Sequence, residues 1–322
     1  MGRRMLLASA AAAVIAGLLP AAQSSAETAK RLNIVATTSM IADAVRQVGG
    51  DRVEVTALMG PGVDPHTYRQ TRSDIAAMSR ADAVFWHGLY LEAQLEDFFA
   101  NLAAKRKVIA LADGLPKELL RSHDDYAGRY DPHIWMDPRR WIYVVRAAEA
   151  ELTALRPEAK ADFAANAARH IAEIEALAAY SERILATVPE NARVLITAHD
   201  AFNYFGKAYG FEVLGIQGIS TESEAGLKRI ETLVDVIVAR RIGAIFIESS
   251  VSDRNIKALI EGAGAKGHKV VIGGELFSDA MGPAGTYEGT YIGMIDHNAT
   301  VIARALGGKV PARGMNGLLP LI

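Results

Sequence analysis

Four side chains of types that suit a divalent metal ion follow predicted strands of this sequence. His199 comes directly after one strand and Asp279 follows a later one, whereas His66 and His133 are reached through loops after two earlier strands. In open parallel sheets, ligands bind beyond the carboxyl ends of the strands, so these four side chains can converge in one cleft. Three imidazoles and a carboxylate suit zinc and are acceptable to manganese. Any one of these histidines alone is more often a hydrogen-bonded structural residue, so the prediction rests on the set.

The number of ligands favours carriage of an ion over catalysis. Four ligands fill a tetrahedral zinc site, whereas catalytic zinc keeps one position for water. The sequence has no His-Glu-x-x-His run, no Gly-x-Ser-x-Gly elbow and no Walker-type phosphate loop. A zinc hydrolase is therefore the weaker alternative. A binding protein for an organic or metal-chelate solute is another, but such sites need a cleft lined with aromatic residues, and only 7% of the residues are aromatic.

Other polar residues near these positions have simpler interpretations. His87 follows a strand and is expected to be structural or to support the site, and His170 lies on a long predicted helix, where we expect it to be solvated. Metal-bound histidines usually donate their second ring N–H to a carboxylate or a carbonyl. Carboxylates that could accept are Asp64, Asp131 and Glu248, although the sequence does not pair them with particular histidines. Trp135 packs either beneath the site or in the ordinary core.

Strands alternate with helices through short turns along both halves of the chain, which argues for parallel sheets covered by helices. The same alternation of strands and helices begins again after the middle of the chain, so we expect the two halves to have the same topology. The predicted strands span residues 31–37, 53–58, 83–86, 107–110, 193–197, 212–216, 244–248 and 269–272. The predicted fold is α/β, with two similar lobes of parallel sheets flanked by helices and joined by one long rigid helix.

The joining element is a run of helix formers from Pro157 to Val188 with no internal glycine or later proline. Its apolar residues recur with helical periodicity at Phe163, Ala167, Ile171, Ile174, Ala178 and Leu185. A helix of this length would span about 48 Å, which favours a connection between lobes over an ordinary surface helix. The predicted organisation is an N-terminal lobe over 27–156, the linking helix over 157–188 and a C-terminal lobe over 189–322.

Residues 1–26 are predicted to be a secretory signal peptide. Arg3 and Arg4 precede an apolar stretch over 5–19, and small residues stand before Glu27. The 322 residues contain no cysteine, which excludes disulfides, thiolate metal sites and a lipid-bearing cysteine. We therefore expect a free periplasmic protein. A formal net charge of -2 without long runs of either sign argues against a nucleic-acid partner.

Five stretches resemble the periplasmic zinc and manganese substrate-binding proteins of ABC transporters, the TroA-like family, and the resemblance covers essentially the whole mature chain. They are Gly62–Tyr68 (GVDPHTY), Gly88–Glu92 (GLYLE), Asp131–Pro138 (DPHIWMDP), Ala198–Phe205 (AHDAFNYF) and Glu248–Arg254 (ESSVSDR). The resemblance implies one metal ion between two lobes, and His66, His133, His199 and Asp279 fall on the family's ligand positions. It also implies a membrane permease with its ATPase as partners. A monomer is the default for such a binding protein.

The cargo is predicted to be Zn²⁺ or Mn²⁺. Many manganese members of the family carry a glutamate at the third ligand position, where this chain has His199. Zinc members often have a long His-rich loop before the second ligand, whereas residues 121–131 contain a single histidine. The histidine at the third position argues against manganese, whereas the lack of a His-rich loop argues against zinc. Imidazole-rich ligation and the Irving–Williams order place zinc slightly ahead in affinity.

Overall fold

The computed structural model describes residue 1, residues 30–122 and residues 128–321. The predicted signal peptide therefore lies outside the described residues apart from Met1. Arg31–Ile322 forms one compact unit. Within the described ranges, no helix combines the length and hydropathy of a membrane-spanning segment.

The N-terminal half contains a four-stranded parallel sheet in the order β2-β1-β3-β4. The strands are β1 (Leu32–Ala36), β2 (Val53–Ala57), β3 (Ala83–Trp86) and β4 (Lys107–Ala110). The helices between them are α1 (Ser39–Gly49), α2 (Arg72–Arg80) and α3 (Glu96–Ala103). The side chains of Thr38 and Thr71 accept hydrogen bonds from backbone N–H groups at the starts of α1 and α2, which fixes where each helix begins.

Two consecutive helices, α4 (Pro138–Leu155) and α5 (Lys160–Leu185), lead from the first half to the second. The predicted long helix is α5, but it is shorter at both ends. Arg156 is non-helical before Pro157, which opens a 3₁₀ turn. At the other end, the Thr187 hydroxyl donates to the Ile184 carbonyl and accepts from the Lys309 N–H, so the chain turns before Pro189. The 26 residues of α5 span about 39 Å.

The C-terminal half repeats the first as two parallel strand pairs, β5 with β6 and β7 with β8. Its elements are β5 (Val194–Thr197), α6 (Asn203–Tyr209), β6 (Glu212–Gly215), α7 (Leu227–Ala239), β7 (Ala244–Glu248), α8 (Arg254–Ala265), β8 (Val271–Leu276) and α9 (Tyr291–Ala305). Since β5 also contacts β7, the spatial order β6-β5-β7-β8 reproduces that of the N-terminal half. The predicted class of two similar α/β halves is confirmed, with two hydrogen-bonded pairs in place of a continuous second sheet.

Strand β8 lies further along the chain than the predicted 269–272. It runs through Gly273 and Gly274 and shifts register opposite Ile245 and Phe246. Glycine disfavours strands, so the sequence prediction stopped before this pair. A Cβ at residue 273 would approach the Phe246 ring to 2.8 Å, which explains why the strand carries glycine there. As a result, β8 ends close to Asp279.

One large hydrophobic core joins the two halves. It contains Ile34 and Phe85 from the first sheet and Phe246 and Leu276 from the second, together with the buried faces of α1, α4, α5 and α9. Two smaller clusters cover the outer faces, one under α2 and α3 and the other under α7 and α8. The long helix therefore packs inside a core that both halves share.

His170 is buried, contrary to the expectation that it would be solvated. It is 0% exposed on α5, its Nδ1 lies 3.2 Å from a Glu173 carboxylate oxygen, and its Nε2 has no hydrogen-bond partner among the residues that the structure describes. The reason is its spacing: residue 170 follows Ala167 by three positions and precedes Ile174 by four, so it lies on the buried stripe.

Candidate metal centre

His66 lies in the loop after β2, and the loop is organised by a neighbouring carboxylate. The His66 N–H donates to Asp64 Oδ1 at 2.9 Å, and the Thr67 hydroxyl donates to Asp64 Oδ2 at 3.1 Å. Such a turn closed by an aspartate side chain fixes the backbone locally. His66 is thereby held with its ring in the interior, where the residue is 2% exposed.

His133 and its neighbour Asp131 precede α4. One carboxylate oxygen of Asp131 accepts both the His133 backbone N–H at 3.0 Å and the Nδ1–H at 2.7 Å. The other oxygen accepts from Asn203 at 3.2 Å, and the Asp131 carbonyl accepts from the Tyr204 hydroxyl at 2.9 Å. Residues at the start of α6 therefore hold the loop of His133. With Nδ1 used as a donor, Nε2 is the nitrogen free to bind a metal ion.

His199 follows β5 and is held in the same way by Glu248, the last residue of β7. The two oxygens of Glu248 accept the His199 backbone N–H at 2.9 Å and its Nδ1–H at 2.5 Å. All these groups are buried. The pairing requires that β5 and β7 be neighbours, and it again leaves Nε2 available.

Asp279, after β8, points both carboxylate oxygens into the interior without a hydrogen bond to the described residues. Its oxygens lie 3.1 Å from His199 Nε2 and 3.5 Å from His133 Nε2. His199 Nε2 likewise has no hydrogen-bond partner among the described residues. Buried polar atoms are normally paired, so unpaired atoms that face one another fit a ligand held between them.

The four predicted residues converge: one ligand atom from each of His66, His133, His199 and Asp279 lies within 4.8 Å of every other. The Nε2 atoms of His66 and His133 are 3.3 Å apart. Tetrahedral zinc with bonds of about 2.0–2.1 Å places its ligand atoms roughly 3.3–3.4 Å apart. Three separations in the cluster lie close to this value: 3.3 Å between His66 and His133, 3.1 Å from His199 to one Asp279 oxygen and 3.5 Å from His133 to the other. The donor set and its spacing fit a zinc-sized ion.

The electrostatics of the cluster favour one charged pair. Burial, with the neighbouring imidazoles adding to it, lowers the pKa of His66 to about 3. Burial also acts to lower the pKa of His199, but the Asp279 and Glu248 carboxylates outweigh it and raise that pKa well above its usual value. Burial acts to raise the pKa of Asp279, yet His199 and the other two imidazoles hold it below its usual range. Without metal, His199 is thus the protonated imidazole beside an ionised Asp279.

A second layer of buried groups supports His133. Trp135 packs its ring edge-to-face against His133 and donates its indole N–H to the Ser278 carbonyl at 2.8 Å. His87 Nε2 donates to the Pro132 carbonyl at 2.7 Å, while its Nδ1 has no partner among the described residues. His87 therefore lies behind the cluster, in the supporting position that the sequence suggested.

Glu92 was not singled out from the sequence as a supporting residue. Its carboxylate accepts from the backbone N–H groups of His87 and Gly88 and from the Thr37 hydroxyl at 2.6–3.2 Å. Burial raises its pKa to about 7, and these hydrogen bonds oppose that rise. Leu89 and Tyr90 have φ of 51° and 69° in the loop that Glu92 clamps. This backbone conformation is uncommon for residues other than glycine. The amino-acid composition of the loop gives no sign of this conformation or of the role of Glu92.

Fold and cluster together define a class: α/β proteins in which two halves with parallel sheets enclose buried metal-ligating side chains. The sequence profile described as zinc-uptake complex component A, periplasmic, matches residues 34–305. The chain therefore belongs to this family of periplasmic zinc-uptake components.

Similar proteins are named for manganese in one case and for zinc in another. The chain is 45% identical to the manganese-binding lipoprotein MntA of Bacillus subtilis over 277 residues, covering 86% of this chain and 90% of MntA. It is 44% identical to the zinc-binding protein TroA of Treponema pallidum over 273 residues, covering 85% of this chain and 88% of TroA. The solved structure of that periplasmic TroA superposes with a TM-score of 0.84 at 43% identity, covering 86% of this chain and 99% of TroA.

Proposed function

We propose that this protein captures a divalent transition metal ion in the periplasm and delivers it to an ABC permease for import. The observation that carries the proposal is the convergence of three imidazole nitrogens and a carboxylate at spacings suited to one ion. His66, His133, His199 and Asp279 are the proposed ligands. Family membership supports a membrane permease and its ATPase as the receiving partners.

Zinc is the first candidate cargo and manganese the second. Three imidazoles match zinc better than manganese, and the ligand spacing matches short zinc bonds. The names of the two relatives described above are divided between manganese and zinc, so the supply of metal and the preference of the permease remain part of the selection. The ion is the substrate of the protein, and no resident cofactor is invoked.

The proposal makes the protein a monomeric carrier without enzymatic activity. Four protein ligands complete a tetrahedral shell and leave no position for a reactive water. The crevice beside His66 has a volume of about 10 Å³, far below the 300 Å³ or more of typical organic-ligand pockets. A free periplasmic location is supported by the family and by a sequence without cysteine.

The test is the metal content of protein purified from the periplasm without added metal, measured by elemental mass spectrometry. We expect about one equivalent of zinc or manganese per chain in the wild type and its loss in His199→Ala. His268→Ala is the matched control, because His268 lies apart from the cluster and bonds the Ile242 carbonyl. Wild-type protein that is metal-free and also refuses both ions on titration would disprove the proposal.

A further inference from the structure

The loop between β6 and α7 lies beside His66 of the candidate metal centre and contacts the opposite half of the molecule. We call residues 217–226 the strap. The Thr221 hydroxyl donates to Asp64 Oδ2 at 2.5 Å, and the side-chain amide of Gln94 donates to Glu222. Asp64 and Gln94 belong to the N-terminal half, whereas the strap belongs to the C-terminal half. Two side-chain hydrogen bonds thus tie the halves together above the cluster.

The Thr221 contact reaches a carboxylate that already organises a ligand loop. Asp64 holds the His66 backbone N–H through its other oxygen, so Thr221 and His66 share one anchoring side chain. Asp64 is also close enough to feel the charge of Asp279, which adds to the effect of burial in raising its pKa. A change at Thr221 is therefore transmitted to His66 through Asp64 without any change in the four ligands.

The strap borders a small crevice on one side of the hydrogen bond between Thr221 and Asp64 and a larger cleft on the other. Ile219 is 2% exposed, and with Ser220 it lines the crevice of about 10 Å³ beside His66. That volume holds no more than about one water molecule, so a hydrated ion cannot pass. A polar cleft of about 160 Å³ lies outside, lined by Asp64, Thr221 and Ser250 among others. Thr221 and Asp64 both line this cleft, and Asp64 in turn holds His66 of the buried cluster.

The opposite rim of the crevice is held more firmly. Leu89 donates its backbone N–H to Asp113 at 2.9 Å, and Glu92 clamps the preceding residues, including Gly88. The base of the strap is anchored by backbone hydrogen bonds, from the Gln217 N–H to the Ala198 carbonyl and from the Asp200 N–H to the Gly218 carbonyl. Beyond Gly218 the strap is shaped by the Gln217 side chain, which donates to the carbonyls of Thr221 and Ser223 within the loop itself. Movement of the strap beyond Gly218 is therefore the less costly way to open the site.

From these contacts we infer that the strap gates release of the metal ion and that Thr221 is the positioning residue that keeps it closed. The inference rests on the proposed metal-carrying function and adds a residue that sets the rate of exchange. Opening the strap breaks the hydrogen bond between Thr221 and Asp64, frees the His66 loop and joins the outer cleft to the cluster. A partner that pulls the strap away from Asp64 would discharge the ion.

The test is the rate at which zinc-loaded protein gives up its ion to excess 4-(2-pyridylazo)resorcinol in a stopped-flow experiment. A hydrogen bond to a charged group stabilises the closed state, so Thr221→Val is expected to release zinc about tenfold faster. Thr221→Ser keeps the hydroxyl and should release at the wild-type rate. Thr232→Val is the matched control, because the hydroxyl of exposed Thr232 donates within its own helix, to the Lys228 carbonyl.

A merely structural role for Thr221 would change the thermal unfolding of metal-free protein but leave the release rate unchanged, and that result would overturn the inference. If Thr221→Val does not fold, Gln94→Ala removes the second tether instead, with about threefold faster release expected. A wild-type rate in that variant would also count against the strap. Wild-type protein that binds neither zinc nor manganese would instead refute the underlying function.

A covalent tether tests the gate in the opposite direction. Because the sequence has no cysteine, Gln94→Cys combined with Glu222→Cys provides a single pair of thiols across the strap. Cross-linking this pair with bismaleimidoethane should slow zinc release at least tenfold relative to the same variant left unlinked. Equal rates before and after cross-linking would show that the ion leaves without movement of the strap.

Discussion

At the scale of single residues, the cluster is prepared by carboxylates that bind the nitrogens facing away from it. Asp131 fixes Nδ1 of His133 and Glu248 fixes Nδ1 of His199, so both rings present Nε2 inwards. The partner of His133 is two positions away, and the sequence offered Asp131 as a candidate carboxylate without assigning it to a histidine. The partner of His199 belongs to another strand, and only the proximity of β5 and β7 reveals it.

The charge state of His199 predicts that zinc binding releases a proton. Its pKa is raised above the usual 6.5, so metal-free protein near that pH holds a proton that the ion must displace. His66, with a pKa of about 3, contributes none. Affinity should therefore increase with pH, by up to about tenfold per unit, until the pH passes the folded pKa of His199.

Isothermal titration calorimetry of zinc binding in two buffers of different protonation enthalpy measures this proton at constant pH. The apparent enthalpy should differ between the buffers at pH 6.5, because the buffer takes up the proton that His199 gives up. His268→Ala should show the same difference, because that residue lies outside the cluster. Identical enthalpies in both buffers would contradict a charged pair between His199 and Asp279.

At the scale of secondary-structure elements, the sequence correctly predicted the elements whose ends depend on residues close to them in the chain. Strand β7 has the predicted bounds, since its start and stop are set by a buried apolar run. Strand β8 was misplaced because its glycines are required by distant residues: the Phe246 ring on the neighbouring strand crowds the Cβ position of Gly273, and Val301 of α9 crowds that of Gly274. The strap could not be foreseen, since its importance depends on a contact between Thr221 and Asp64 across 157 positions.

Helix α5 should contribute to stability through its buried stripe. Ile174 is 0% exposed in the shared core, whereas Ile171 is only partly buried at its edge. Ile174→Ala removes packed methylene groups and leaves a cavity, with an expected loss of about 2–5 kcal/mol in the free energy of unfolding. Ile171→Ala is the matched control and should cost less than half as much, as measured by urea denaturation of metal-free protein. Equal losses would mean that α5 does not bury the face described.

At the scale of the whole molecule, the two halves resemble each other but do not have separate cores. The central cluster contains residues of both sheets and of the helices between them. The boundaries at residues 156 and 188 that the sequence suggested therefore separate two halves of similar topology, but the hydrophobic core continues across them. Asp131, bonded by Asn203 of the other half, shows the same continuity at the metal centre.

This continuity predicts that the two halves unfold together. The tryptophans Trp86, Trp135 and Trp141 all lie in the N-terminal half, so their fluorescence reports that half, whereas far-UV circular dichroism reports the whole chain. For metal-free protein in urea, the two signals should give one coincident transition. Free zinc at 100 times its Kd should stabilise both signals equally, by about 2.7 kcal/mol. The increment should vanish in His199→Ala. A dichroism transition that separates from the fluorescence transition would instead establish two domains that fold independently, with the cleft as their boundary.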